Sequence, residues 1–428
     1  MSAPPRETRA PGAGVAFDLR PVTEAGERLV ELAERHAADF AGRADEHDRA
    51  NSFPLENWEA MRRSGFLAGS VPEEFGGLGV RSVHDLALAT GRLARGDGST
   101  AIGANMHLVC PWLFARLHAH ARAAGDATAE ARMRMLLRLA GSGRLVACVA
   151  FTEPGTFPAW PLTEATPVAG GYRIDGRKTF CTNSPASTLV LASVRVRVDG
   201  EHRLAFAVVP RTTAGLEVRE TWDALGMRAS GSHDIVFTDC RVRPEMVIVA
   251  GPLGELSVGS LPLALVNSLT LVAAPLGIAE AAQRLAVEAA RGRRKAPSNR
   301  TMAERFAVQA LVAENEVDLA AGRAVLARSA TTLDAYFGAR GQDDLDRAEL
   351  VHLMKDVQCA NVDVKRRAIA VVDRALTASG GGGYLSRSPL SRLYRDVRAG
   401  PFMQPFSPLE AFEYIGKVTL GLEPTLDT

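Results

Sequence analysis

The sequence is poor in cysteine and has no excess of charge of either sign. Its five cysteines are widely spaced among 428 residues and form no CxxC pair. Neither a disulfide framework nor a metal site is therefore predicted, and a reducing, cytoplasmic location is expected. Lysine and arginine number 50 against 49 aspartates and glutamates, a balance that supplies no broad field for nucleic acid or an acidic membrane surface. Partners are expected in pockets, as a small-molecule or carrier-bound substrate.

Long uncharged runs are also scarce. Residues 261–279 form one, about long enough to span a membrane, but it contains Asn267, Ser268, Thr270 and Pro275 and leads directly into the charged segment EAAQRLAVEAARGRRK. A helix buried inside a bundle is predicted, and no membrane span. The first residues, MSAPPRETRAPGAG, lack an apolar segment after their basic side chains. Residues 1–15 are therefore expected to be a flexible tail and not a secretory signal.

The pattern of apolar residues changes twice along the chain. Residues 16–144 repeat at helical spacing, as in ERLVELAERHAADF, whereas residues 145–250 contain short alternating runs such as STLVLASVRVRV separated by turn residues. Helical spacing returns over residues 251–428. The sequence thus predicts an α+β protein with helical first and last domains and a strand-rich domain between them.

Five motifs, in order, are similar to those of the acyl-CoA dehydrogenase superfamily of flavoproteins. They are FPLENWEAMRRSGFLAGSVPEEFGGLGV, FTEPG, GRKTFCTNS, WDALGMRASGSHDIVF and GGGGYLSRSPLSRLYRDVRAG. The resemblance implies an N-terminal helical domain, a central β-barrel-like domain and a C-terminal four-helix bundle. It also implies FAD, or FMN, as cofactor and a homotetramer or dimer, because that family's flavin site is shared between subunits.

The two middle motifs carry the flavin contacts that the resemblance implies. A flavin ring needs hydroxyl or backbone donors at its polar edge and an apolar wall against its face. Thr152 and Thr182 stand where the family's hydroxyls meet the ring. Phe151 precedes the first of these threonines, and Phe180 replaces the family's usual tryptophan.

A second set of residues is implied for the phosphate and adenosine end of the flavin. The glycine run provides Gly380, Gly381 and Gly383, and consecutive glycines in a helical region favour close backbone approach. Arg294 and Gln309 stand near the family's diphosphate-binding arginine and glutamine. Arg293, Arg300 and Arg305 compete for the arginine role.

The catalytic base of the family is missing. Counting nine residues from Arg395 of the RDVR motif reaches Gln404, and the alternative base position on the buried helix is occupied by Asn267. Neither amide can remove the α-proton of an acyl thioester. Glu410, a few residues downstream, is the nearest candidate for a relocated base, although exposure on its own helix is the simpler expectation.

The thioester-binding serine of the family is also missing. Pro158 and Ala159 stand at that place, and Phe157 with Trp160 is expected to give the entrance an aromatic character. A donor from Ser230 and a role for His107 at the mouth of the site complete the predicted substrate contacts, with a hydrogen-bonded core histidine as the alternative for His107.

Three functions remain open at this stage. The sequence favours the monooxygenase branch of the superfamily, which takes reduced flavin from a separate reductase and needs no glutamate at the substrate carbon. A thioester dehydrogenase with a relocated base is the first alternative. A catalytically silent flavin-binding paralogue is the second.

Overall fold

The computed structural model describes residues 18–403 and 405–425. The predicted tail, residues 1–15, lies outside these residues, and so does Gln404. The described chain runs from helices through strands to helices, which confirms the predicted α+β class.

The first part of the chain is helical. Thr23 caps the first helix by accepting from the backbone N–H of Gly26. Asp97 caps the longest helix of this part by accepting from the backbone N–H of Ser99. The helices are α1 (Glu24–Phe40), α2 (Ala44–Ala50), α3 (Leu55–Ser64), α4 (Val83–Ala94), α5 (Gly98–Ala124) and α6 (Ala127–Gly141). Helix α5 is buried on nearly every side along residues 98–115, so its side chains reach both the sheet and the later helices.

The middle of the chain forms an eight-stranded sheet in the described residues. Its strands are β1 (Ala147–Ala150), β2 (Glu164–Val168), β3 (Gly171–Cys181), β4 (Leu189–Val198), β5 (Glu201–Pro210), β6 (Leu216–Arg219), β7 (His233–Val242) and β8 (Val247–Pro252). The order is β6-β7-β3-β2-β4-β5-β8, and β1 pairs in parallel with β4. The register of β3 against β7 shifts between Lys178 and Cys181, and this irregularity turns Phe180 outward with a φ of 54°.

The last part of the chain returns to helices. They are α7 (Leu261–Gly292), α8 (Phe306–Ala339), α9 (Arg347–Ser379), α10 (Pro389–Val397) and α11 (Pro408–Thr419), with a two-stranded hairpin of β9 (Arg294–Lys295) and β10 (Arg300–Thr301) before α8. By length and composition α7 alone among the described helices could cross a membrane. Most of its apolar window, 89%, is buried against other helices, as predicted for a bundle core.

Candidate active site

The main cavity lies where the three parts of the chain meet. It encloses about 560 Å³ and is lined mostly by apolar side chains. Helix α5 contributes Ile102 and Met106, the sheet contributes Phe151, Thr152 and Thr182, and α7 contributes Asn267. The loop of residues 222–227 and the segment after α10 close the remaining sides.

One wall carries a chain of three hydroxyl groups. Oγ1 of Thr182 lies 3.0 Å from Oγ of Ser232, which lies 2.7 Å from Oγ of Ser230. Thr182 and Ser232 line the cavity, whereas Ser230 is buried behind them. The three hydroxyl groups have three protons, and the two contacts between them use two of these. If the third proton were on Ser230, it would be buried without an acceptor, which is unfavourable. The third proton is therefore expected on Thr182 or Ser232, where the O–H can donate into the cavity.

Aromatic side chains frame the same wall. Phe151 stacks on Phe206 with ring centroids 5.1 Å apart, and the backbone of Thr152 bridges to Thr179. Phe180 meets Trp222 edge to face at 5.6 Å yet keeps 57% of its surface exposed. An exposed ring on a cavity wall is available to pack against a flat ligand.

Asn267 lines both the main cavity and a smaller apolar annex of about 70 Å³. Its Oδ1 accepts a hydrogen bond of 3.0 Å from Nδ2 of Asn105. The annex is lined further by Pro158 and Ala159, the residues in place of the family's serine and aspartate, and by Leu263.

Two arginines and no carboxylate line the main cavity in the described part of the chain. Arg395 is engaged with Asp48 and with the carbonyl of Leu225. Arg398, three residues later, makes no ion pair with a described residue and is exposed. The cavity therefore has positive charge and hydrogen-bond donors, but no acid to accept a proton.

Helix α10 also fixes the loop that closes the cavity. Buried Asp396 accepts from the backbone N–H of Met227 at 2.6 Å, and burial raises the pKa of this carboxyl to about 6 although Arg392 opposes the shift. A Cβ on Gly226 would lie 2.2 Å from the carbonyl oxygen of Arg395. Only glycine allows the loop to approach the helix this closely.

Glu410 has a structural task away from the cavity. It completes a capping box at the start of α11, in which its carboxylate accepts from the backbone N–H of Ser407 at 2.6 Å. It is not among the residues that line the cavity. The geometry thus opposes a relocated base at Glu410, and the predicted role of Gln404 lies outside the described residues.

His107 is a core residue, which corrects its predicted place at the mouth. It is fully buried, its Nε2 is 2.7 Å from the carbonyl of Leu67, and its Nδ1 accepts from the backbone N–H of Ala147. Burial lowers its pKa to about 4, against a smaller opposing effect of the Leu67 hydrogen bond. The neutral imidazole ring thus joins the turn after α3 to β1 through these two hydrogen bonds.

Three other predicted substrate contacts lie outside the cavity lining. Trp160 is 46% exposed, packs over Gly254 and donates its backbone N–H to the carbonyl of Phe157. Phe157 packs on the hydrophobic core. Ser230 reaches the cavity only through Ser232.

The residues predicted for the flavin phosphates lie apart from the main cavity. Arg294 bonds to the carbonyl of Asn299 within the hairpin, and Gln309 donates to that of Ala303. Gly380 has a φ of 62°, and the neighbouring Arg293 donates to the carbonyl of Ser379 at 2.9 Å. Arg293, and not Arg294, is thus the arginine beside the glycine turn.

The cavity contains features that sequence reasoning did not single out. Met106 on α5, Trp222 and Leu225 in the loop, and Arg398 with Phe402 after α10 were not assigned roles there. Nothing in the RDVR string distinguishes Arg398 as a ligand contact from Arg395, which pairs with Asp48.

The residues present fit a flavin. The cavity has room for a ring system, its walls offer the apolar faces of Phe151 and Phe180, and its hydroxyl chain offers a donor for a polar ring edge. The chain has helices before and after its sheet, and this cavity lies at their junction. That is the arrangement of a flavoprotein oxidoreductase.

The chain belongs to the acyl-CoA dehydrogenase family, which confirms the resemblance. Its N-terminal, middle and C-terminal domain families match residues 23–121, 148–240 and 269–406. The chain is 37% identical to amino sugar nitrososynthase DnmZ of Streptomyces peucetius, over 94% of this chain and 95% of the relative. It is 36% identical to L-evernosamine nitrososynthase of a Micromonospora species, over 96% and 94%.

The solved structures agree with these relatives. KijD3 in complex with FMN and dTDP-3-amino-2,3,6-trideoxy-4-keto-3-methyl-D-glucose superposes with a TM-score of 0.86 at 34% identity, covering 95% of this chain and 96% of KijD3. The chain is accordingly a flavin-dependent oxidoreductase of the monooxygenase type. This outcome confirms the favoured function.

Proposed function

We propose that the chain oxygenates the amino nitrogen of a nucleotide-linked amino sugar, with reduced flavin and O₂ as co-substrates. One observation carries the proposal: no carboxylate lines the cavity in the described residues, whereas two arginines do. A thioester dehydrogenase needs a base for the α-proton. An amine reacts with an oxygen donor through its nitrogen lone pair and needs no such base at carbon.

The electrostatics of the cavity favour an amine in its reactive form. A carboxylate beside the nitrogen would hold it as an ammonium ion, whose lone pair is bound to a proton. The described lining of the cavity has no carboxylate, so nothing there stabilises the ammonium form in this way. The hydroxyls and Asn267 can bind a neutral sugar through its oxygen atoms without adding negative charge.

Each round of the proposed reaction transfers one atom of O₂ to nitrogen and reduces the other to water, with two electrons from reduced flavin. The first round converts the primary amine to a hydroxylamine. A second O₂ and a second reduced flavin convert this to a nitroso group with loss of water. Because the flavin leaves oxidised, a separate flavin reductase is part of the proposal.

The binding roles follow from the site. Thr152, Thr182 and Ser232 would hold the polar edge of the flavin, with Phe151 and Phe180 as its walls. Arg398 would bind the diphosphate of the nucleotide sugar, because it is the guanidinium at the cavity that has no ion pair with any described residue.

The remaining proposals concern the cofactor and the assembly. FMN, or FAD, is proposed as the flavin, and the FMN complex of KijD3 supports FMN. Arg293 replaces Arg294 as the proposed phosphate contact at Gly380. A homotetramer or dimer is supported by the exposure of Phe402, 71%, at the cavity rim. The cytoplasmic location stays a prediction.

The test supplies chemically reduced FMN and ¹⁸O₂ to the purified protein with a thymidine diphosphate amino sugar. Mass spectrometry should show one ¹⁸O atom on nitrogen, first as the hydroxylamine and then as the nitroso sugar. The matched sugar with a hydroxyl in place of the amine is the control and should stay unchanged. Anaerobic bleaching of oxidised flavin by acyl thioesters, with no labelled amine product, would overturn the proposal.

A further inference from the structure

A buried asparagine on α5, Asn105, is hydrogen-bonded to Asn267 at the cavity. Asn105 is 1% exposed and does not line the cavity itself. Its Nδ2 donates to Oδ1 of Asn267 at 3.0 Å. Its own Oδ1 lies 3.4 Å from the hydroxyl of Thr90 on α4, which also donates to the carbonyl of Leu86 at 2.9 Å. Three side chains on α4, α5 and α7 thus form a chain that ends at the cavity.

The direction of this chain decides the chemistry of Asn267. With Oδ1 occupied by Asn105, the amide of Asn267 has only its Nδ2 left for the cavity, and Nδ2 makes no hydrogen bond to a described residue. Rotating the Asn267 amide while Asn105 keeps this orientation would place Nδ2 against Nδ2 of Asn105, two donors without an acceptor. In a buried position the rotated form is disfavoured by about tenfold or more.

We infer that Asn105 is a positioning residue that makes Asn267 a hydrogen-bond donor to an oxygen atom of the reacting species. This inference rests on the proposed function and deepens it. The acceptor needs an oxygen lone pair directed at Nδ2 of Asn267. Two sources share this chemistry: a carbonyl or hydroxyl oxygen of the sugar, and the oxygen that is being reduced.

A double-mutant cycle tests the inference. The variants are Asn105→Leu, Asn267→Leu and the two together. Asn361→Leu is the matched control: Asn361 is buried to 2% exposure on α9 and donates to Ser268, the residue next to Asn267 on the same helix. Asn105→Leu and Asn361→Leu each remove a buried amide that packs against α7. Only Asn105→Leu removes a member of the hydrogen-bonded series Thr90–Asn105–Asn267 that ends at the cavity.

Three quantities are measured on each protein: the melting temperature, the Kd of the flavin-free protein for the nucleotide amino sugar, and the peroxide released per O₂ consumed by the flavin-loaded protein. The last is measured without and with the amine. If the acceptor is a sugar oxygen, Asn105→Leu should weaken sugar binding about tenfold. If the acceptor is the oxygen that is being reduced, Asn105→Leu should leave the Kd for the sugar unchanged. The rate of peroxide release without amine should then change about tenfold.

The cycle separates positioning from structure. Asn105→Leu should have no further effect on Kd or peroxide in the Asn267→Leu background, while its effect on melting temperature should persist. Asn361→Leu should change the melting temperature alone. An Asn105→Leu protein with both functional quantities unchanged, or changed equally in the Asn267→Leu background, overturns the inference. Because the peroxide arm needs no amine, failure of every amino sugar as substrate would overturn the proposed function separately.

Discussion

Arg395 and Asp48 form a paired contact that joins α10 to α2 at the rim of the cavity. Nη1 of the arginine donates to Oδ1 of the aspartate at 2.9 Å, and Nη2 donates to Oδ2. Asp48 is 4% exposed, and its carbonyl also accepts from Arg228. Because this partner occupies Arg395, Arg398 is left as the guanidinium available to a ligand.

Replacing Arg398 tests its role in phosphate binding. Arg398→Gln should raise the KM for a nucleotide-linked sugar by about 10- to 100-fold, because it removes a charge-assisted bond to phosphate. The KM for the same amino sugar without its nucleotide should not change, and neither should the melting temperature. Steady-state kinetics with the two substrates measure the difference.

Arg395→Gln is the control for this variant. It leaves the buried carboxylate of Asp48 without its partner and should destabilise the protein by about 2 kcal/mol. A denaturant titration measures the loss. Equal effects of the two arginine variants on substrate binding would contradict the assignment of the phosphate to Arg398.

Phe180 offers a test of the flavin wall. Phe180→Ala should weaken flavin binding by about tenfold, since it removes an exposed ring that can stack on the ligand. Trp160→Ala removes a comparably exposed aromatic side chain that does not line the cavity. Quenching of flavin fluorescence gives both dissociation constants. A loss of affinity in the Trp160 variant and none in the Phe180 variant would exclude the proposed wall.

The motifs predicted the fold and part of the site because they combine structural and binding residues in short strings. Thr152 and Thr182 line the cavity as the motifs imply. In FTEPG, however, Glu153 is a structural residue that pairs with Lys178 of GRKTF. The two motifs FTEPG and GRKTF therefore indicate the fold as well as the ligand.

The errors in the predicted site come from the direction of side chains. Successive residues on a helix point about 100° apart, so Met106 faces the cavity while His107 faces the sheet. Neither composition nor spacing fixes that rotation. The same limit applies to Arg293 and Arg294 in the hairpin, where adjacent side chains diverge.

The buried ring of His107 predicts a dependence of stability on pH. Its pKa in the folded protein is lowered to about 4, below about 6.5 for an exposed histidine. The unfolded chain therefore binds a proton that the folded chain does not, and stability is lost as pH falls through this window. At pH 4 this difference in proton binding lowers the free energy of unfolding by about 3 kcal/mol relative to neutral pH.

A His107→Gln variant isolates this contribution. It should be less stable than the parent at pH 7, and the gap between the two should narrow by about 3 kcal/mol at pH 4. Urea unfolding at several pH values measures the gap. A constant difference across the range would show that the pKa of His107 is not lowered on folding.

Glu153 and Lys178 form a buried ion pair beneath the cavity wall. Nζ of the lysine donates to Oε1 of the glutamate and to Ser193, and the glutamate also accepts from the backbone N–H groups of Leu162 and Thr163. Burial alone would raise the pKa of Glu153, but Lys178 and these donors hold it below its ordinary value. The pair thereby anchors the segment that follows Thr152.

Breaking this pair should be costly from either side. Lys178→Met leaves a buried carboxylate and should destabilise the protein by about 3 to 5 kcal/mol, and Glu153→Gln should cost a similar amount. The double variant should lose less than the sum of the two. Glu164→Gln, which breaks a half-exposed pair with Arg195 on the same sheet, should cost under about 1 kcal/mol.

The acid dependence of the pair has a definite sign. Because the pKa of Glu153 is lowered on folding, its contribution is present above about pH 4.3 and is lost as pH falls through the folded value. The advantage of the parent over the double variant should therefore shrink below pH 4, as followed by urea titration. A double variant that loses stability on acidification as steeply as the parent would show that Glu153 is not the carboxylate responsible.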